Sequence, residues 1–424
     1  MNKPTLPKFP TAPSPEEAMP PAAGWRRIFA SLKVPNYRYF YMGQFISMIG
    51  TWVRMAALGW IAYQMSGSEF ILGLVATLNA LPMVLFSVWA GSLADRIPKL
   101  RMFTATSWVA MLSSLLLSYF LFQGQASVSY LLVFSLFWGL ATAFEVPSRQ
   151  AMIVELVGAK DLTNAIALNS AMVNATRILG PAVAGVLIAR LGAAWCFLLD
   201  GLSYLAVLYA IHNIRITLPP VKFRQKGWDH LLEGIRYVRR NPSVFRTLSL
   251  LLVMSTCAWP YISQLPAVAK AQLGMNAEGY GWLAAINGLG ACAAALTVAA
   301  LGDRPFKDRQ VFWGILLFGT AILLFGLQHH PLGAAFFLFF CGYGVILFFS
   351  TSNSLIQSET PNELRGRVMG LWALGFGGGA PFGSFLIGLL ADHVGANHAL
   401  QAGGAISLLL SWLVFRRFRT DYKR

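Results

Sequence analysis

Four ionisable residues stand inside long apolar stretches of this sequence: Arg54, Glu145, Arg177 and Asp200. At the centre of a membrane helix a charge costs about 2.5 to 3.5 kcal/mol on insertion scales, so each needs a partner or water. The chemistry open to them is ion pairing and proton exchange. Glu145 precedes Arg149 by four residues, which sets the two on one helix face. Two readings follow. The pair is a static salt bridge, or Glu145 exchanges a proton as its surroundings change, since desolvation disfavours a carboxylate and a nearby cation favours it. Asp200 falls in the sixth predicted span, and Arg177 on the antiparallel fifth is read as its partner in a buried structural pair.

Bond-making constellations are missing. The sequence holds no GxxxxGK[ST] loop and no HExxH, and Ser203 after Gly201 has neither a following glycine nor a partner histidine in an adjacent span. Cys196, Cys257, Cys292 and Cys341 lie in hydrophobic runs without CxxC spacing, so they read as small buried apolar residues. The expectation is a non-enzyme with no catalytic residues, no cofactor and no metal.

The elements that carry these residues are membrane helices. With 56% hydrophobic and 12% charged residues, the 424-residue chain has too little polar surface to coat soluble domains. Uncharged blocks such as Phe70 to Ala90 are long enough to cross a hydrocarbon core of roughly 30 Å. Hydropathy and Gly/Pro breaks predict an all-α membrane protein of twelve transmembrane helices. The expected division is a disordered tail over 1–35, a six-helix bundle over 36–212, a linker over 213–246, a second bundle over 247–416 and a basic tail over 417–424. In the linker, Trp228, Leu231, Leu232, Ile235 and Val238 recur at helical spacing opposite charged residues. Two placements fit: along the membrane surface, or packed on the bundle ends.

The net charge of +16 sits in alternate linkers: Arg26 to Arg38, Arg96 to Arg101, Arg215 to Arg246, Arg304 to Arg309, Arg365 and Arg367, and Arg416 to Arg424. That alternation follows the positive-inside rule, places both termini in the cytoplasm and argues against nucleic acid. Anionic membrane lipids are the expected partners of this charge.

The halves repeat in sequence. Leu93-Ala94-Asp95-Arg96-Ile97-Pro98-Lys99 after the second helix is echoed by Leu301-Gly302-Asp303-Arg304-Pro305-Phe306-Lys307 after the eighth. Asp161-Leu162 matches Glu363-Leu364, and Gly180-Pro181 matches Ala380-Pro381. Parallel repeats of this kind place a substrate site at the midplane between two bundles.

On these motifs the chain resembles the major facilitator superfamily. Gly91-Ser92-Leu93-Ala94-Asp95-Arg96 matches its loop hallmark GxLADRxGRK, although Pro98 and Leu100 depart from it. Phe144 to Leu168 and Thr360 to Met369 look like the branch of enterobactin exporters and macrolide efflux pumps. The resemblance implies two pseudo-symmetric six-helix bundles and a cavity lined by the first, fourth, seventh and tenth helices. It implies gating at Gly91, Asp95, Arg96, Arg149, Asp303, Arg304, Arg365 and Arg367, and a packing motif at Gly180, Pro181 and Gly185. Substrate contact is then expected from Gln44, Ser47, Arg54, Glu145, Trp259, Gln264 and Asn353, and coupling from Glu145, Asp200 and Arg177.

The expected function is secondary efflux of a bulky, partly apolar small molecule, siderophore-like or drug-like, by a monomer in the inner membrane exchanging protons. A lipid or lysolipid flippase or an importer of the same fold stands as the alternative. A non-transporting receptor or scaffold is the alternative from another class; paired gate loops argue against it.

Overall fold

The computed structural model describes residues 29–215, 227–302 and 306–417, without the side chains of 87, 88, 90–96, 151, 159, 160 and 227–231. The expected terminal tails beyond these limits and the gating positions Asp303 and Arg304 lie outside the described residues. So do the side chains of Asp95 and Arg96.

Among the described residues, twelve helices are long and apolar enough to cross a membrane. The first six are α1 (Pro35–Ser66), α2 (Glu69–Arg96), α3 (Lys99–Phe122), α4 (Val128–Gly158), α5 (Asp161–Leu191) and α6 (Ala193–Asn213). A short amphipathic helix, α7 (Gly227–Arg240), precedes the second six. These are α8 (Pro242–Gln272), α9 (Ala277–Leu301), α10 (Lys307–Gly326), α11 (Pro331–Glu359), α12 (Asn362–Val394) and α13 (Ala396–Arg417). Helices suit this solvent because each backbone polar group is satisfied within its own segment.

Pro35 opens α1 where its missing N–H costs nothing, and Pro331 does the same for α11. Between α4 and α5 the turn is made at Gly158, whose φ of 67° suits a residue without a Cβ. Within α8, π-type turns at Met254–Ala258 and Val268–Gln272 flank a segment holding Pro260 and Pro266. Such bulges widen a helix locally and are frequent at functional sites.

Helices α1–α6 form one bundle and α8–α13 the other, as expected of the fold class. Each bundle has an aromatic interior. Trp138 stacks on Phe197 in the first, and Tyr261 meets Phe318 edge-on in the second. The amphipathic linker helix packs on the end of the second bundle: Val238 is buried with Val244, Ile356 and Val368, and the Tyr237 hydroxyl donates to the Glu359 carbonyl at 2.9 Å.

Candidate functional site

The two bundles touch at the side opposite the chain termini, here called the far side. At the crossing of α2 with α12, a Cβ on Gly73 would lie 2.8 Å from the Gly388 Cα. Where α5 crosses α9, one on Gly281 would lie 2.5 Å from the Pro181 carbonyl oxygen and 2.8 Å from the Gly185 Cα. Small residues let the backbones approach this closely. Polar contacts join the same surfaces. Thr77 Oγ1 donates to the Pro381 carbonyl at 3.0 Å, Gln264 Nε2 to the Glu69 carbonyl at 3.3 Å and Ser68 Oγ to Asp392 Oδ1 at 2.7 Å. Trp60 stacks on Tyr280 across the seam at 5.6 Å.

On the termini side, by contrast, the ion pairs among the described residues stay within one half: Lys99 with Glu155, Arg246 with Asp308, and Arg367 with Glu233 of α7. Arg365 Nε donates back to the Gln357 carbonyl of α11 at 3.2 Å.

Between the far-side seam and mid-depth lies a cavity of about 240 Å³, mostly apolar, lined among others by Trp52, Asn79, Arg177, Trp259, Tyr280 and Asn287. Both bundles contribute walls. Trp259 stands on the π-turned part of α8, against the rings of Phe349 at 5.4 Å and Phe376 at 5.1 Å.

Of the predicted contact residues, Trp259 lies at this cavity, and the others lie as follows. Gln44 and Ser47 are buried on α1, whose Gly43 and Gly50 abut α6. Gln264 is fully buried in the far-side seam, with its Oε1 lacking a hydrogen-bond partner. Asn353 accepts from Gln357 Nε2 at 2.6 Å. Glu145 and Arg149 do pair along α4, at 3.8 Å, each largely shielded.

The expected Arg177–Asp200 pair is not formed. Asp200 is fully buried and its Oδ2 lies 3.1 Å from Arg54 Nε. Ser114 Oγ donates to the same oxygen at 2.5 Å, Trp138 Nε1 donates to Ser114 Oγ at 3.1 Å, and the Arg54 guanidinium lies 4.2 Å over the Trp138 ring. The physical reason is the α1–α6 crossing. A Cβ on Gly50 would lie 2.5 Å from Ser203 Oγ and 3.0 Å from the Asp200 Cα, so the helices meet there and Arg54, one turn on, faces Asp200.

Arg177 instead turns toward the second bundle. A Cβ on Gly288 of α9 would lie 3.0 Å from the Arg177 carbonyl oxygen, and the guanidinium lies 5.7 Å from the rings of both Trp52 and Trp259. Ser114 and Trp138 were invisible as partners because neither residue type marks a carboxylate site in sequence. Trp52, two residues before Arg54, carried a signal only once α1 was known to line the cavity.

Comparison with known proteins agrees with this architecture. Residues 27–423 match the family model described as transmembrane secretion effector. A staphyloferrin A transporter of Staphylococcus aureus (strain NCTC 8325 / PS 47) is 26% identical over 386 residues, covering 89% of this chain and 95% of that protein. An enterobactin exporter of Shigella boydii serotype 4 (strain Sb227) is 25% identical over 391 residues, covering 91% and 94%. Among solved structures, a bacterial homologue of the lysosomal transporter Spinster, inward-facing and unoccupied, superposes with a TM-score of 0.73 at 14% identity, covering 94% of this chain and 98% of that one. A bacterial homologue of the iron transporter ferroportin, also inward-facing, gives 0.71 at 13%, covering 93% and 99%. These two likenesses concern the fold. The chain is a multi-pass membrane transporter, not an enzyme, and belongs to the transmembrane secretion effector family of the major facilitator superfamily.

Proposed function

We propose that this protein exports a bulky, partly apolar small molecule of siderophore type from the cytoplasm by alternating access, in exchange for protons. The observation that carries the reading is a cavity walled by both bundles beside the far-side seam where they touch. The positive charge of the termini-side linkers supports a cytoplasmic placement of that side. The closed far side is then periplasmic, and the state is inward-facing, ready to load from the cytoplasm. The names of the two relatives support a siderophore-like cargo. Each bundle, α1–α6 and α8–α13, moves as a unit, with α7 riding on the second.

For the proton, Glu145 remains the candidate carrier. It is paired with Arg149 and slightly exposed. Counterflow in liposomes tests transport without assuming direction: radiolabelled catecholate or hydroxycarboxylate siderophore should accumulate transiently against unlabelled solute inside. Lysolipid accumulating in their place would make the protein a flippase. In proteoliposomes under a pH gradient, Glu145→Gln should lose gradient-driven transport yet keep counterflow. Unaltered gradient-driven transport in that variant removes Glu145 as carrier.

A further inference from the structure

Arg177 is a buried cation with no salt-bridge partner among the described residues. Lys99, Arg246 and Arg54 each face a carboxylate, in Glu155, Asp308 and Asp200. Arg177 is 9% exposed, its Nη2 has no hydrogen-bond partner, and no carboxylate among the described residues forms a salt bridge with it. It lines the cavity between the bundles. Its near neighbours there are the faces of Trp52, from its own bundle, and Trp259, from the other. Indole faces attract a cation but do not neutralise it. A guanidinium presents a planar fork suited to a carboxylate, and in an apolar cavity such a pair is charge-assisted and little screened.

We propose that Arg177 anchors the anionic group of an organic acid whose apolar or aromatic body lies between Trp52 and Trp259. This rests on the transport reading above and names the substrate class of the same cavity. One wall ring belongs to each bundle, so a ligand held on Arg177 touches both moving parts. Its binding is thereby felt at the seam that must open.

The test uses the full chain in phosphatidylcholine nanodiscs, titrated with dansylglycine and with its uncharged amide while probe fluorescence is followed. Wild type should bind the acid about tenfold or more tighter than the amide. Arg177→Gln should bring the two affinities together with little change for the amide. Arg177→Lys should keep part of the preference, since a point charge lacks the bidentate fork. This second variant decides the matter if Arg177→Gln does not assemble. Equal affinities in wild type, no binding of the acid, or a preference that survives both substitutions would overturn the assignment. So would loss of acid binding when phosphatidylglycerol replaces part of the lipid, because the cation would then belong to a lipid phosphate. Siderophore secretion by wild-type cells reads transport separately, so an exporter indifferent to charge would keep the first reading and end this one.

Discussion

At the scale of single residues, the Arg54–Asp200–Ser114–Trp138 network is the chief polar feature of the first bundle's interior. Removing one member of a buried ion pair leaves the other uncompensated, at a cost of about 3 to 5 kcal/mol. Asp200→Asn and Arg54→Gln should therefore each lower the thermal midpoint of detergent-solubilised protein sharply. The double variant should be milder than the sum of the two, which a double-mutant cycle reads directly. Additive losses would mean that the two side chains act independently. The sequence singled out Arg54, Glu145, Arg177 and Asp200 but paired Asp200 with Arg177, whereas the structure pairs it with Arg54. Helix adjacency alone does not fix which face of α1 meets α6. Gly50 does, and a glycine in an apolar run carries no label saying which neighbour it touches.

At the scale of elements, the far-side seam depends on glycine crossings. Gly281→Leu would force its side chain into Pro181 and Gly185. Overpacking of this kind costs about 1 to 3 kcal/mol. The expected result is a destabilised closed seam, seen as greater thiol-reagent labelling of a cysteine placed at Asn79 in a cysteine-free background; unchanged labelling would contradict it. In the α5 stretch read from the sequence as a packing motif, Gly185 sits at the α9 crossing, while Gly180 abuts Trp52 of its own bundle. The partner of Gly185 was not legible, because Gly281 lies in an ordinary alanine- and glycine-rich span. The start of α8 was read late: Pro242 initiates it, whereas the polar residues up to Arg246 suggested linker.

At the scale of the whole molecule, transport requires the far side to open and the termini side to close in turn. Ser68 and Asp392 face each other across the far-side mouth, with a 2.7 Å hydrogen bond between their side chains. Cysteines at both positions should cross-link on oxidation, stop counterflow and release it on reduction; counterflow that persists after complete cross-linking would show that the far side need not open. The twofold architecture was legible from the repeated Leu-Asp-Arg-Lys pattern and from the charge alternation, since both are consequences of topology. The conformation was not legible, because one sequence must serve both facing states. The central claim is export of a siderophore-like solute, and secretion tests it most directly. An enterobactin-producing bacterium lacking its own exporter would express this chain, and a hydroxycarboxylate producer would be treated in parallel, with siderophore measured in medium and cells. The expected result is a rise of about tenfold in the ratio of medium to cell siderophore in at least one strain, with Arg177→Gln reducing it. An unchanged ratio in both strains, with the protein abundant in the membrane, would contradict the account.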